Sequence, residues 1–113
     1  MRAIFINAAA RTITEIDHSG NLAEMYATLG VELVEKIEVA PDADMWVDEE
    51  GAINGTDYGF QLSGRPYFGS ALLLGFNDQG DCVALPARIT PDLIALHVSW
   101  LVSRPRPMLE KVD

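Results

Sequence analysis

Hydrophobic and polar residues alternate along much of this chain with a period of two, which is typical of β-strands. Residues 2–7 (RAIFIN) form a short apolar run, and residues 11–17 (RTITEID) alternate after a link of three alanines. Residues 31–40 (VELVEKIEVA) alternate again. The pattern predicts a hairpin over 2–17 and a strand with one solvated face over 31–40.

Two segments have the period of a helix instead. Residues 19–29 carry apolar side chains at i, i+3, i+4 and i+7, with Ser19 or Asn21 as the N-cap and Gly30 as the terminator. Residues 90–102 begin with Thr90 as a cap and a proline at the first helical position. Both patterns predict amphipathic helices.

The remaining segments predict two hairpins and a loop. A strand at 45–47 would turn through Asp48–Gly51 and return at 52–53, with Gly51 free to adopt a positive φ. Residues 55–69 contain four glycines and predict a long loop, whereas 71–85 predict a second hairpin. The expected fold is α+β: a mainly antiparallel sheet of about five or six strands with two amphipathic helices packed on one face.

Length and composition place these elements in one domain. The chain has 113 residues, of which 49% are hydrophobic, enough for a core. We expect a single α+β domain over 1–103 and an extended, basic, proline-containing tail over 104–113. No apolar run approaches the length of a membrane-spanning helix, and the only cysteine, Cys82, cannot form an internal disulfide. We therefore expect a cytoplasmic protein that binds no membrane.

The charge is strongly uneven. The net charge is −9, and residues 12–63 hold twelve carboxylates against one base, Lys36. Direct binding to nucleic acid requires a basic surface, which this acidic chain mostly lacks. The electrostatic complement of an acidic chain is a basic protein surface, which is therefore the expected partner. The alternative is that the acidity only keeps the protein in solution.

The candidate partner-binding residues are the acidic stretch around Trp46 and the aromatic and basic residues of the loop that follows. They are Asp44, Trp46, Asp48, Glu49, Glu50, Tyr58, Arg65 and Tyr67. Successive side chains diverge in a tight turn, so Asp48, Glu49 and Glu50 are expected to be exposed and to hold no metal. The alternative for the aromatic residues is that they fix the loop to the core.

Catalytic chemistry has little support in the sequence. Cys82 and His97 are the only Cys/His pair worth naming, and both are expected to be buried and inert. No phosphate-binding loop or nucleophile elbow occurs, and the cysteine and two histidines lack zinc-ligand spacing. We therefore predict no catalytic residues, no metal and no cofactor.

Three short motifs carry a family resemblance: RAIFIN with RTITEI, WVDEEG, and FGSALLLG. Their order resembles the DUF3846 family of domains of unknown function. The resemblance implies an accessory gene of a phage, plasmid or other mobile element, without a reaction or catalytic residues. The leading hypothesis is then a non-enzymatic binding protein. In its sharper form, the protein occupies the basic nucleic-acid-binding site of a host or defence protein. The alternatives are a structural or regulatory homo-oligomer with Trp46 and Trp100 as anchors, and a small hydrolase.

Overall fold

The computed structural model describes residues 1–51 and 57–101, which contain nine strands and two helices. The strands are β1 (Arg2–Asn7), β2 (Thr12–Asp17), β3 (Val34–Ala40), β4 (Ala43–Asp48), β5 (Gly59–Leu62), β6 (Arg65–Phe68), β7 (Ala71–Phe76), β8 (Cys82–Val83) and β9 (Val98–Leu101). The helices are α1 (Leu22–Leu29) and α2 (Pro91–His97).

Six strands form the main sheet, in the order β2-β1-β7-β4-β3 with β8 also paired to β7, and every pairing is antiparallel. The central strand β7 is buried over its first five residues. Leu73 lies opposite Ile4 on one side and Met45 on the other. The predicted α+β class and the mainly antiparallel sheet, predicted to have about five or six strands, are confirmed.

The prediction of a loop over 55–69 is wrong for its described part. The strands β5 and β6 pair as a hairpin, and with β9 they form a small sheet in the order β6-β5-β9. Ser63 and Gly64 make the connection with φ values of 51° and 88°. Two successive residues at positive φ produce a tight hairpin turn, and Ser-Gly is a recognised turn pair that the aromatic and glycine content obscured.

The predicted helix over 90–102 is also too long. Thr90 caps it as expected, accepting a 3.1 Å hydrogen bond from the Leu93 amide, but the helix ends at His97. Residues 98–101 continue as β9, in which Trp100 pairs with Phe60 of β5. The helical periodicity is therefore overridden by pairing with a strand that the sequence pattern did not reveal.

The other helix follows its prediction closely. Asn21 caps α1 by accepting a 2.8 Å bond from the Glu24 amide, and Gly30 ends it with a φ of 67°. Met25 is the buried residue of the predicted apolar stripe, whereas Leu22 is 47% exposed. The turn Asn77–Gly80 between β7 and β8 also forms as predicted, with the Asn77 side chain accepting from two backbone amides.

The helices contact different sets of core residues. Met25 of α1 packs with Ala3, Leu72 and Leu74. Ile94 of α2 belongs instead to the cluster that contains Ile4, Ile6, Met45, Leu73 and Phe60. Because neighbouring residues of a strand point to opposite faces, α1 covers one face of the main sheet, while α2 and the small sheet cover the other. The expectation that both helices pack on one face is not confirmed.

The hairpin predicted over 44–55 has a different partner. β4 pairs with β3, through the turn at Pro41 and Asp42, and with β7. The predicted return strand 52–53 lies outside the described residues, as does the predicted tail 104–113. No helix in the described ranges is long and apolar enough to cross a membrane.

Candidate functional site: an acidic and aromatic cleft

The turn that follows β4 forms as the sequence predicts. One side-chain oxygen of Asp48 accepts a 2.9 Å hydrogen bond from the Glu50 amide, and the Asp48 carbonyl accepts a 3.2 Å bond from the Gly51 amide. Such local bonding is typical of an aspartate that starts a turn. Glu49 is exposed, but Asp48 and Glu50 are only partly exposed, so the expectation of three fully exposed carboxylates is wrong for these two.

Gly51 is required at the end of this turn for space. It is not among the residues with positive φ, contrary to the sequence-based expectation. A Cβ atom at this position would collide with the carbonyl oxygen of Phe68 in β6. The glycine therefore lets the turn pack directly against the small sheet.

This contact creates a cleft of about 210 Å³ between the two sheets. We call it the acidic cleft. Its lining residues are Glu35, Val47, Asp48, Glu49, Gly51, Pro66, Tyr67 and Phe68. Glu35 reaches it because β3 pairs with β4 in a register that places Glu35 opposite Val47. Glu35 and Glu49 thus line the same cleft as Tyr67, whereas Asp48 shares the strand alternation of Asp44 and Trp46 and lies at the border of the cleft.

The aromatic wall of the acidic cleft is held by the core. The rings of Tyr67 and fully buried Phe60 are tilted by 32° with their centroids 5.4 Å apart, within the range of favourable aromatic pairs. Tyr58 lies on a neighbouring cleft of about 330 Å³ that also includes Asp48. The Tyr58 side chain is 49% exposed.

The structure does not bring all eight predicted residues together. Asp48, Glu49 and Tyr67 line the acidic cleft, Glu50 lies in its turn, and Tyr58 lies next to it. Arg65 is exposed at the opposite end of the β5–β6 hairpin. Glu35 and Phe68 were not among the candidates. Glu35 could have been noticed because it lies on the face of β3 that is otherwise apolar. The strand that pairs with β3, however, was not predictable from the sequence.

Asp44 and Trp46 face the side of the main sheet that α1 covers. Asp44 is only 5% exposed, and its nearest cation is the Lys36 ammonium, 3.9 Å away. Burial raises the pKa of Asp44, Lys36 opposes this rise, and Glu38 adds to it. The Trp46 indole N–H is buried without an acceptor among the described residues. These two residues are therefore not available to the acidic cleft.

The catalytic pair considered from the sequence is not assembled. Cys82 packs with the cluster around Met25, whereas His97 lines a pocket with Leu73 and Ile94 on the other face of the main sheet. Burial raises the pKa of the Cys82 thiol, and nearby Asp44 adds to the effect, which makes it a poor nucleophile. His97 is exposed and Cys82 only partly buried, so the expectation that both are buried is wrong.

The acidic cleft is suited to cationic side chains. Carboxylates attract ammonium and guanidinium groups, and aromatic faces add to that attraction. Within residues 1–51 and 57–101, no group of three or more His, Cys, Asp or Glu side chains could hold a metal ion.

Comparison with protein families provides one match, a family model described as "Domain of unknown function (DUF3846)", over residues 1–95. The chain belongs to the DUF3846 family. Neither curated proteins nor solved structures give a match. The DUF3846 segment includes every residue of the acidic cleft and ends within α2, before β9.

Proposed function

We propose that this DUF3846 protein is a non-enzymatic binding protein that recognises a lysine- or arginine-rich surface of another protein through the acidic cleft. The observation that supports it is that Glu35 and Glu49 line the same cleft as Tyr67. These three residues come from three separated segments, so their meeting is a property of the fold and not of a local acidic run.

The position of the cleft favours protein contacts. It borders β3, which is the last strand of the main sheet and carries exposed charges at Glu35, Lys36 and Glu38. Charges on an edge strand also prevent unwanted strand pairing, which is the alternative explanation for this row. That explanation accounts for β3 but not for the aromatic wall contributed by β6.

A narrower form of the proposal concerns the partner. A phage or plasmid accessory protein with this charge would occupy the basic nucleic-acid-binding site of a host or defence protein. Its carboxylates would then replace phosphates as the groups that basic side chains contact. Competition between this protein and a DNA duplex for a partner recovered from host lysate tests the narrower form, because simultaneous binding would contradict it.

The cleft itself is tested with a pair of charge-matched variants. Glu35→Gln with Glu49→Gln removes two cleft carboxylates, whereas Asp78→Asn with Asp81→Asn removes two exposed carboxylates near the β7–β8 turn. The probe is a fluorescent peptide of alternating arginine and glycine, and the measurement is its association rate at increasing salt. We expect the cleft variant to associate more slowly with a shallower salt dependence, and the control variant to match wild type.

Equal effects of the two pairs would show that only net charge matters, and the proposed site would then be wrong. Because the changed side chains are exposed, each variant should retain its fold, and circular dichroism with a melting curve checks this.

One observation favours the second candidate, a homo-oligomer. Leu96 of α2 is 81% exposed and Leu93 is 38% exposed, so the helix presents apolar surface to solvent. Light scattering should then give a multiple of the 12.4 kDa chain mass for wild type and a single chain for Leu96→Glu. A single-chain mass for wild type at high concentration would remove this candidate.

A further inference from the structure

A second cavity, of about 350 Å³, lies on the same face of the main sheet as the acidic cleft but at the other end of the small sheet. We call it the apolar pocket. Its walls are aliphatic and come from β3, β5, β7, α2 and the segment before α2. They are Val39, Leu62, Leu73, Ile89, Leu93 and Ile94. Its volume falls at the lower end of the range for small-molecule sites.

The polar groups of the apolar pocket are Ser63, Arg88 and His97. The amide of Ser63 donates a 2.9 Å hydrogen bond to the His97 carbonyl, which joins the tip of the β5–β6 hairpin to the end of α2. The side chain of Arg88 is 59% exposed and forms two bonds to Asp42, of 2.9 Å and 2.5 Å. Neighbouring structure thus holds the Arg88 guanidinium and the backbone of His97 at the pocket.

The charge at the apolar pocket is opposite in sign to the net charge of the chain. The net charge is −9, yet the described residues that line the pocket include Arg88 and His97 and no carboxylate. The Asp42 pair uses one N–H of each terminal nitrogen of Arg88, whereas a guanidinium has five N–H donors. Arg88 therefore keeps donors for a second anion while Asp42 holds it in place.

We infer that the apolar pocket binds a small carboxylate whose compact aliphatic body packs on Leu73 and Ile94 and whose charged group contacts Arg88 and His97. Aliphatic walls favour an apolar body, and the Arg88 guanidinium, with the His97 imidazole as a further polar group, favours an anionic group at one end. This site shares no lining residue with the acidic cleft, so the two proposals stand or fall separately.

The test uses hexanoate and hexanamide, which have the same body and differ in charge. Titrations followed by NMR, at matched ionic strength, should show saturable hexanoate-dependent shifts at Leu62, Leu73 and Ile94. Hexanamide should bind about tenfold more weakly, since it lacks the charge-assisted hydrogen bonds. Equal affinity for the two probes, or shifts confined to residues outside the pocket, would overturn the inference.

Two variants act in opposite directions. Arg88→Gln should weaken hexanoate binding. Asp42→Asn keeps a side-chain oxygen that can accept a hydrogen bond from Arg88 but removes the negative charge that competes with the ligand, so it should tighten binding. Asp78→Asn, which makes the same change of net charge near the β7–β8 turn, should leave the affinity at the wild-type value. If Asp42→Asn and Asp78→Asn raise the affinity equally, the effect is one of net charge and the assigned contact is wrong. Should Arg88→Gln fail to fold, the Asp42→Asn comparison alone decides.

Discussion

The acidic cleft and the apolar pocket are built from the same parts and have opposite character. Both lie between the main sheet and the β5–β6 hairpin, and both include residues of β3. Glu35 and Val39 are on the same face of β3, four residues apart, and each lies at a different cavity. The end of the hairpin that holds Tyr67 meets carboxylates, while its tip meets aliphatic side chains, Arg88 and His97.

The difference shows how a small sheet placed on a larger one can form two sites. The middle of the small sheet is closed by Phe60, which is fully buried in the core. The two cavities lie at its ends, and the residues there determine the chemistry of each. Changes at one end should therefore leave the other end intact, unless they affect the shared core.

The largest effect is expected from Leu73→Ala, which changes that shared core. Leu73 is fully buried in the central strand and also lines the apolar pocket. Removing its side chain should lower the free energy of unfolding by about 2–5 kcal/mol, measured by urea denaturation. Leu96→Ala, at a site 81% exposed, should change it by less than about 0.5 kcal/mol. Similar losses from the two variants would contradict the assigned core.

The next largest effect should be confined to one of the two cavities, the acidic cleft. Gly51→Ala places a Cβ atom against the Phe68 carbonyl and should push β6 away from the turn, at a cost of about 1–3 kcal/mol. Gly30→Ala measures backbone strain without a collision, because Gly30 has a φ of 67° but nothing within 4 Å of the added atom. We expect NMR shifts around Tyr67 and none around Ile94 for Gly51→Ala. A stability loss below about 0.5 kcal/mol for Gly51→Ala, with no shifts around Tyr67, would mean that the turn does not contact β6 as described.

A smaller effect is expected in the titration of Asp42 and Asp44, which are two residues apart. Hydrogen bonding to Arg88 lowers the pKa of Asp42, whereas burial raises the pKa of Asp44. As the pH falls, carboxyl NMR signals should therefore show Asp44 gaining its proton before Asp42. The reverse order would show that the Arg88 pair or the burial of Asp44 is assigned wrongly.

The same two shifts have opposite consequences for stability. The contribution of Asp42 is present above its unfolded pKa and is lost as the pH falls through its lower folded value. The contribution of Asp44 is present below its unfolded pKa and is lost as the pH rises through its higher folded value. Asp44→Asn should therefore be more stable than wild type at neutral pH, and melting curves should show this advantage shrinking on acidification.

The smallest stability effect is expected at the acidic cleft. Glu49 is exposed in its turn, so Glu49→Gln should change the free energy of unfolding by less than about 0.5 kcal/mol. The same substitution should slow association of the arginine–glycine peptide. A large loss of stability would indicate that Glu49 has a structural role instead.

Local patterns predicted the parts of this fold that depend on neighbouring residues. Thr90 and Asn21 cap helices as expected, and Asn77–Gly80 and Asp48–Gly51 form the expected turns. The boundary of α2 was not predictable in the same way, because Val98–Leu101 are apolar residues compatible with either a helix or a strand. Their pairing with Gly59–Leu62, some forty residues earlier in the chain, decides between the two.

The site shows the same limit. The acidic turn and Tyr67 were recognisable as candidates from their residue types, but Glu35 joins them only through the β3–β4 register. Asp44 and Trp46 were grouped with the turn because they are close in sequence. Strand alternation turns Asp44 and Trp46 away from the acidic cleft, and α1 packs on the face to which they point. The position of α1 depends on tertiary packing, which the local sequence does not show.

The central position of β7 has a consequence for how the chain folds during synthesis. The hairpins β1–β2 and β3–β4 can each form soon after they leave the ribosome, but neither pairs directly with the other. β7 joins them, and β1 must wait for a partner about seventy residues later in the chain. Such distant pairings make folding slow, and nascent chains that stop before Phe76 expose the unpaired sides of β1 and β4. The main sheet can therefore form only after β7 has been synthesised, and chains that end before it expose strand edges that favour aggregation.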